Sequence, residues 1–515
     1  MAGRPNRQVS SPEPIRFPRS AGVLLHPTSL PGPNGIGELG KEAHRFVDTL
    51  VEAGLSIWQM LPLGPTGYGD SPYQCFSAFA GNPLLVAVPG EGEDFPSHRV
   101  DFARVIPYKQ RLLREATAAL EPDDDYHAFV AAHRWWLEDY ALFMALKAAH
   151  EGAAWTDWEP GAAFRDPAAL ERWRRRLHGE IEHYRREQAL FHRQATALRD
   201  RCREAGVRLM GDLPMYVAHD SADVWANPRE FQLDDDGRPM VQAGVPPDYF
   251  SATGQLWGNP IYDWQRMKAD GYGWWIRRMR SALELFDLVR LDHFRGFEAY
   301  WAVPGDAQTA VDGRWVDGPG AALFDALTAA LGPLPIVAEN LGVITPEVEA
   351  LRERLGYPGM SILQFAFGTD SQPNTFLPHT YPHDRVVYTG THDNDTTLGW
   401  WQSTGAGDST RTEEAAAKER DHAKRYLATD GQEMNWALIR AALASVADTA
   451  LIPMQDWLGL GSEARMNLPG RQSGNWAFRF SWEQLTPELI ARLSELVDLY
   501  QRRPRPDPIT EPATP

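Results

Sequence analysis

The chain has 515 residues, 43% of them hydrophobic, and a formal net charge of -18. This length allows a large core with long insertions or a second domain. The acidic balance, with no basic block longer than residues 174–176, argues against nucleic acid or an anionic membrane as the main partner. Residues 1–20 lack the apolar core of a signal peptide, and no stretch approaches the roughly 18 apolar residues of a membrane span. Only Cys75 and Cys202 are present, outside paired motifs, so we expect a cytoplasmic protein without a structural disulfide.

Short apolar runs recur along the chain, and amphipathic segments separate them. The eight candidate strands are residues 22–25, 56–61, 207–211, 285–291, 335–338, 360–367, 385–389 and 450–455. Residues 41–53, 321–331 and 346–355 have helical spacing, and Thr345 followed by Pro346 is typical of a helix start. The alternation predicts parallel strands with helical crossovers, an α/β fold of the TIM (β/α)8 barrel type.

The runs are unevenly spaced, which predicts long, mostly helical insertions. The predicted limits are 21–502 for the barrel, with insertions at about 62–206, 213–270 and 394–449, and disordered tails at 1–20 and 503–515. The first insertion is rich in Ala, Leu, Arg, Glu and Trp and predicts a largely helical subdomain. The second is dense in Gly, Pro, Asp and aromatics over residues 214–264, which predicts a long functional loop. The chain after the last run is too short for a separate C-terminal β-sandwich domain.

Four runs end in a carboxylate: Asp212, Asp292, Glu339 and Asp393. Because all strands of a parallel barrel open on one face at their carboxyl ends, these acids are expected to meet in one pocket. Neighbouring acids that titrate at different pH suit acid/base chemistry on a sugar. Taken singly, the acids have structural alternatives: an Arg–Asp pair on a strand, a helix cap or a turn. A metal site is a weaker alternative, because the acids are scattered over four strands without a close His pair.

The neighbours of two acids predict opposite protonation states. Arg290 and Asp292 alternate along one strand, so both point to one side, and the guanidinium favours an ionised Asp292. Glu339 ends a run of small apolar residues, and an apolar setting raises the pKa of a carboxyl, as a general acid needs. His293, which follows Asp292, is suited to bind a sugar hydroxyl.

Seven segments resemble a known family, the amylomaltases, which are the 4-α-glucanotransferases of the α-amylase clan (glycoside hydrolase family 77). The segments are 22–30 (GVLLHPTSL), 67–74 (GYGDSPYQ), 211–217 (GDLPMYV), 244–251 (GVPPDYFS), 290–296 (RLDHFRG), 338–342 (AENLG) and 391–394 (THDN). The match runs in order from about residue 21 to residue 480. A single RxDxxRG motif would be weak, whereas this ordered set is highly specific.

The resemblance implies a role for each acid. Asp292 is expected to be the nucleophile, Glu339 the acid/base, and Asp393 the residue that binds the hydroxyls of the sugar in the −1 subsite. Further substrate-binding residues implied in this way are Tyr68, Ser71, Tyr73, Asp212, Tyr249, Phe250, Gln255, Trp257, Arg290, His293, His392 and Asn467. Tyr68 resembles part of a secondary glucan site of some members. Loops 244–257 and 459–474 are expected to cover the acceptor side, although two ordinary surface loops are the alternative.

The expected activity is transfer of an α-1,4-glucan segment to the 4-position of another glucan or of glucose. The resemblance implies disproportionation of maltooligosaccharides, and ring closure within one long chain is compatible with it. No metal or cofactor is implied, and the expected assembly is a monomer or a weak homodimer. Two alternatives stay open: a hydrolase of the same clan, in which water completes the reaction, and a non-catalytic glucan-binding protein. Intact Asp292, Glu339 and Asp393 argue against the latter, since binding alone needs no acid of raised pKa.

Overall fold

The computed structural model describes residues 17–90, 92–247, 253–368, 374–405, 412–471 and 473–504. Its strands are β1 (Ser20–Leu24), β2 (Ile57–Gln59), β3 (Arg208–Leu213), β4 (Val241–Val245), β5 (Gln255–Pro260), β6 (Leu288–Leu291), β7 (Ala299–Pro304), β8 (Arg314–Asp317), β9 (Ile336–Ala338), β10 (Gly359–Ile362), β11 (Arg385–Tyr388) and β12 (Thr449–Pro453). Its helices are α1 (Lys41–Glu52), α2 (Phe102–Ala119), α3 (Asp124–Ala149), α4 (Pro160–Ala163), α5 (Pro167–Arg176), α6 (His178–Glu204), α7 (Ala222–Ala226), α8 (Trp264–Ala269), α9 (Gly273–Leu285), α10 (Gly320–Leu331), α11 (Pro346–Leu355), α12 (Thr397–Gln402), α13 (Glu413–Leu427), α14 (Met434–Ala444), α15 (Met454–Leu458) and α16 (Pro487–Leu499).

Eight parallel strands form a barrel. Their order is β10-β11-β12-β1-β2-β3-β6-β9, and every neighbouring pair in it is parallel. The outermost strands of this order meet where the Ala338 N–H donates to the Pro358 carbonyl at 2.9 Å. Each of the eight predicted runs overlaps one barrel strand, so the predicted TIM-type fold is confirmed. The three predicted helices are α1, α10 and α11.

The barrel interior has an apolar lower layer. Met210 of β3, Leu288 of β6 and Val337 of β9 belong to one buried cluster inside the barrel. Close packing of β1 on β2 requires a glycine at position 22, because a Cβ there would lie 2.4 Å from the Ile57 carbonyl oxygen. Side chains two positions apart on a strand point to the same side. The next inward-facing residues of β3, β6 and β9 therefore lie above this layer, nearer the carboxyl-terminal end.

A set of helices lies between β2 and β3. The segment contains α2 to α6, and α3 and α6 pack along each other, with Tyr126 of α3 donating its hydroxyl to Glu182 of α6 at 2.6 Å. Within the described ranges, no helix is both long and apolar enough to cross a membrane. After β12, the described part of the chain contains the helices α15 and α16 and short 3-10 turns.

A second sheet was not predicted. It is antiparallel, with strand order β5-β4-β7-β8. The prediction of a long loop over residues 214–264 is therefore wrong where β4 and β5 lie. These strands are short and contain Gly244 and Gly258, so their local sequence is weak evidence for a strand. β5 pairs with β4, and β4 pairs in turn with β7, more than 50 residues further along the chain, in the register Gly244 to Trp301.

Candidate active site

The structure brings the four predicted acids to the carboxyl-terminal end of the barrel. Asp212 lies in β3, Asp292 and Glu339 follow β6 and β9 directly, and Asp393 lies between β11 and α12. Asp212 is two positions beyond the inward-facing Met210. Asp292 is four positions beyond inward-facing Leu288, and Glu339 is two beyond inward-facing Val337, so the same alternation points them into the barrel mouth. The apolar layer thus forms the floor of a pocket that carboxylates line.

The register of β6 and β9 makes Asp292 and Glu339 direct neighbours. Leu291 pairs with Ala338, so the next pair along these strands is Asp292 and Glu339. The Glu339 N–H donates to the Leu291 carbonyl at 3.1 Å, which continues the parallel ladder by one bond. Since adjacent strands lie about 4.8 Å apart, the two carboxyl-bearing residues are held side by side.

Arg290 connects two of the acids. It pairs with Asp212 in the β3–β6 register, and its Nη1 donates to Asp212 Oδ2 at 2.6 Å. Its Nη2 lies 3.0 Å from Asp292 Oδ1. Arg290 and Asp212 are both buried, whereas 27% of the Asp292 side chain is exposed. Burial alone would lower the pKa of Arg290, but Asp212 and then Asp292 raise that pKa well above its ordinary value. The guanidinium therefore stays charged beside Asp292.

Glu339 is held by two backbone donors. The His293 N–H donates to Glu339 Oε2 at 2.8 Å, and the Leu341 N–H donates to Oε1 at 2.9 Å. His293 has the left-handed φ of 49°, a strained conformation for a non-glycine residue, and this turn presents its N–H to the carboxyl. Burial raises the pKa of Glu339 from 4.5 to about 7, with Arg290 opposing and Asp292 adding to the increase. Glu339 can therefore hold a proton at neutral pH.

Asp393 is anchored to the segment that follows α15. Asn467 Nδ2 donates to Asp393 Oδ1 at 2.6 Å, and the Asn467 N–H donates to the His392 carbonyl at 3.0 Å. Arg465 Nη2 donates to the Asp393 carbonyl at 2.7 Å. Nearly half of the Asp393 side chain is exposed. A polar, accessible carboxylate thus lies in the pocket, fixed from the 459–474 loop.

Aromatic rings line one side of the pocket. The Tyr73 and His392 rings stack with centroids 5.2 Å apart and an interplanar angle of 16°. The Tyr73 hydroxyl donates to Asp212 Oδ2 at 2.9 Å. Asp212 Oδ1 is buried and has no hydrogen-bond partner among the described residues. An aromatic wall beside an acceptor of this kind fits a polyol with apolar C–H faces.

A second aromatic group lies over His293. The Trp257 ring makes an edge-to-face contact with His293 at 4.9 Å. Trp257 Nε1 donates to Gln255 Oε1 at 3.2 Å, and Gln255 is exposed. Burial lowers the pKa of His293 to about 4, so its imidazole is neutral at neutral pH. Tyr249 and Phe250, predicted to bind substrate from the same loop, lie outside the described residues.

The comparison with protein families decides the assignment. A family model described as 4-alpha-glucanotransferase, of glycoside hydrolase family 77, matches residues 25–486. The chain belongs to the 4-alpha-glucanotransferase family. It is 51% identical to the 4-alpha-glucanotransferase of Thermus thermophilus over 511 residues, covering 95% of this chain and 100% of that one. It is 48% identical to the 4-alpha-glucanotransferase of Synechocystis over 508 residues, covering 94% and 98%.

A solved structure agrees with this membership. The amylomaltase from Streptococcus agalactiae in complex with acarbose superposes with a TM-score of 0.89 at 36% identity, covering 94% of this chain and 99% of that one. The family resemblance read from the sequence is therefore confirmed, and the protein is an enzyme of the glucanotransferase class.

Two predicted residues of this glucanotransferase lie on the segment that leads to Tyr73. Ser71 Oγ accepts a hydrogen bond from the Tyr73 N–H at 3.2 Å, so Ser71 shapes the turn before the aromatic wall. Tyr68 is 71% exposed on a short 3-10 turn. Within the described ranges, no group of three or more His, Cys, Asp or Glu side chains is arranged to hold a metal ion.

Sequence reasoning missed three residues of the site. Trp476 lies 5.8 Å from Tyr73 and 6.1 Å from His392, measured between ring centroids. Tyr216 lies 6.3 Å from Trp257, and Arg465 holds the Asp393 carbonyl. With 19 Trp and 16 Tyr in the chain, composition alone cannot select the rings that line a pocket. Tyr216 had a local signal, since it lies in the 211–217 segment that also contains Asp212.

Proposed function

We propose that this enzyme transfers a segment of an α-1,4-glucan to the 4-position of an acceptor glucan or glucose by a retaining double displacement. The observation that carries the proposal is that Asp292 and Glu339 are adjacent across β6 and β9. Asp292 lies 3.0 Å from the buried Arg290 guanidinium, whereas burial raises the pKa of Glu339 to about 7. Retaining glycosidases need a nucleophile and an acid about 5–5.5 Å apart, and neighbouring strands supply such a spacing.

In the first half-reaction, Glu339 donates its proton to the glycosidic oxygen while Asp292 attacks C1 of the −1 sugar. The C1–O bond to the leaving glucan breaks, and a covalent glycosyl–Asp292 intermediate forms. Arg290 favours the ionised nucleophile before attack. Departure of the leaving glucan with its new hydroxyl leaves Glu339 as a carboxylate.

In the second half-reaction, the Glu339 carboxylate takes the proton from the 4-hydroxyl of the acceptor. The freed oxygen attacks C1, the bond to Asp292 breaks, and a new α-1,4 bond forms with both residues restored. Transfer requires that a sugar hydroxyl reach C1 more often than water does. We assign that selection to the Trp257 side of the site, where aromatic surface packs over His293, and to the loop that holds Asn467.

The −1 sugar is expected to stack on Tyr73. Its hydroxyls are expected to donate hydrogen bonds to Asp393 and to the unpartnered Oδ1 of Asp212. The neutral His293 and the buried His392 complete the polar edge. Support for a glucan-like substrate comes from the Streptococcus agalactiae amylomaltase, which was solved with acarbose. The acceptor glucan is proposed to contact Gln255, Tyr249, Phe250 and Asn467. A second glucan chain is proposed to bind at Tyr68.

Incubation with pure maltotriose tests transfer against hydrolysis. Transfer predicts glucose together with maltopentaose and longer products, resolved by mass spectrometry or anion-exchange chromatography. A mixture of glucose and maltose with no product longer than the substrate would support the hydrolase instead. Long amylose as sole substrate tests ring closure, for which products lighter by one water than the linear chain are expected.

Asp292→Asn tests the nucleophile and excludes a non-catalytic glucan binder. The variant is expected to lose transfer activity while it still binds maltooligosaccharides in calorimetry. Asp287→Asn is a matched control, because Asp287 lies just before β6 at the opposite end and pairs with Arg203 at 2.9 Å. Near-normal turnover in Asp292→Asn would remove Asp292 from the nucleophile role.

We further propose that residues 21–502 form one catalytic unit, that the enzyme acts in the cytoplasm, and that it is a monomer or a weak homodimer. Light scattering over a hundredfold range of protein concentration tests the assembly. A stable higher oligomer at the lowest concentration would contradict it.

A further inference from the structure

Next to Glu339, where β9 meets β10 and the barrel closes, a side chain accepts a hydrogen bond that a main-chain carbonyl would accept in a regular sheet. At the β9–β10 seam the Ala338 N–H donates to the Pro358 carbonyl. A regular parallel ladder would continue with a bond from the Met360 N–H to the Ala338 carbonyl. Instead, the Met360 N–H donates to Asn340 Oδ1 at 2.8 Å. The residue that follows Glu339 therefore supplies the next bond of the seam.

The second half of the Asn340 amide binds the helix behind the seam. Asn340 Nδ2 donates to Glu349 Oε1 of α11 at 2.5 Å, and Asn340 is 7% exposed. Both ends of the amide are thus used, one by β10 and one by α11. The orientation of the side chain is determined, because Met360 offers a donor and Glu349 an acceptor.

Space for this amide depends on Gly359 in β10. A Cβ at Gly359 would lie 2.7 Å from Asn340 Oδ1 and 2.1 Å from Arg385 Nη1. The backbone of Gly359 has no left-handed φ, so the constraint is close approach. The seam is built around the Asn340 side chain.

Glu339 lies between two fixed edges. On the β6 side, its N–H donates to the Leu291 carbonyl at 3.1 Å, and its carbonyl accepts from the Phe294 N–H at 3.1 Å. On the β10 side, Asn340 makes the corresponding attachment. The Leu341 N–H, which binds Glu339 Oε1, follows Asn340 directly. Displacement of Asn340 would therefore move both the Glu339 main chain and a donor to its carboxyl.

We propose that Asn340 is a positioning residue for Glu339, holding the acid/base in place by closing the barrel seam between β9 and β10. The proposal rests on the proposed function, because it assumes that Glu339 transfers the proton. Small errors in placement matter here, since a misplacement of about 1 Å in a catalytic group can cost about 100-fold in rate.

The charged groups around this segment are divided between two sides. Arg290 and Asp292 face Glu339 from β6, together with the neutral His293. Behind Asn340, Glu349 pairs with Arg352 at 2.9 Å. Arg385 of β11 lies 3.7 Å from Glu349. The neutral amide binds Glu349 while it adds no charge beside Glu339.

The experiment compares two donors that differ in their need for an acid. Maltotriose needs a proton on its leaving glucose, whereas α-maltotriosyl fluoride releases fluoride, a weak base that departs without one. First-turnover release of glucose and of fluoride is measured for the wild type, Asn340→Ala and Asn340→Asp. The matched control is Asn82→Ala, because buried Asn82 also accepts a main-chain N–H, from Leu84 at 3.0 Å, far from Glu339 in the chain.

If Asn340 positions Glu339, Asn340→Ala should slow glucose release at least about 30-fold, within the 100-fold expected for a misplaced catalytic group. Fluoride release should fall less than about threefold, because that step needs no acid. Asn340→Asp keeps an oxygen that can accept from Met360 but replaces the donor to Glu349 with a second carboxylate, so it should show the same selective loss. Equal losses with both donors, no loss in Asn340→Ala, or the same selective loss in Asn82→Ala would each overturn the proposal.

Glu339→Gln separates failure of this proposal from failure of the proposed function. If Glu339→Gln loses maltotriose cleavage but keeps fluoride release, Glu339 is the acid, and the Asn340 variants then decide the positioning role. If Glu339→Gln cleaves maltotriose normally, the assignment of Glu339 is wrong, and the positioning role of Asn340 is refuted with it.

Discussion

The protonation of Glu339 predicts that Glu339→Gln changes the stability of the enzyme in a pH-dependent way. Burial raises the pKa of this carboxyl from 4.5 to about 7 in the native state. Between these values the native state binds a proton that the unfolded state has released. The free energy of unfolding therefore falls as pH rises through this window. Gln cannot titrate, so the variant lacks this term.

The size of the effect follows from the shift. One pKa unit corresponds to about 1.4 kcal/mol, so the wild type should lose about 3 kcal/mol relative to Glu339→Gln between pH 5 and pH 8. The loss should begin near pH 4.5, be complete near pH 7 and stay constant above it. Gln offers one acceptor to the two N–H groups that bind Glu339. Any cost of that mismatch is the same at every pH and cancels in the comparison.

Denaturant unfolding of both proteins at pH 5, 6, 7 and 8 measures this difference, with Asp287→Asn as a control. The same ionisation should appear in catalysis, where kcat/KM for maltotriose is expected to fall about tenfold per pH unit above about pH 7. A difference in unfolding free energy that stays constant between pH 5 and pH 8 would refute the reasoning. It would mean that burial does not perturb the Glu339 carboxyl.

Three further substitutions have expected outcomes. Arg290→Met leaves buried Asp212 without its cation. The free energy of unfolding should therefore fall by about 3–5 kcal/mol, and transfer activity should be lost. Thermal unfolding checks the first result and a maltotriose assay the second. Tyr73→Phe removes one hydrogen bond to Asp212 and should lower kcat/KM about tenfold, and an equal kcat/KM would contradict it. Lys109→Met breaks a buried ion pair with Glu38 and should cost about 3–5 kcal/mol of stability at unchanged kcat.

Local sequence was sufficient for the barrel strands and for the direction of their functional ends. Each strand is a short apolar run, and burial on both faces explains why parallel strands have such sequences. A residue two positions beyond a buried one faces the same way. For that reason the run that contains Met210 also predicts where Asp212 points, and the run that contains Leu288 predicts Arg290 and Asp292.

The second sheet and part of the pocket wall could not be predicted from local sequence. Strand β5 pairs with β4, and β4 pairs with β7, which lies beyond β6 in the chain. Trp476 and Arg465 reach the site from the segment after α15. The hydrogen bond between Asn340 and Met360 links β9 to β10, which helix α11 separates in the sequence. Each of these depends on contacts between distant segments, which no local pattern encodes.

The sequence by itself determined the barrel, the four acids at its carboxyl-terminal end and, through seven ordered segments, the glucanotransferase family. Only the tertiary structure decided that Asp292 and Glu339 are neighbours across β6 and β9, and that Arg290 is shared by Asp212 and Asp292. Protonation depends on burial and on charges brought close by folding. The raised pKa of the Glu339 carboxyl, about 7, therefore arises only in the folded barrel.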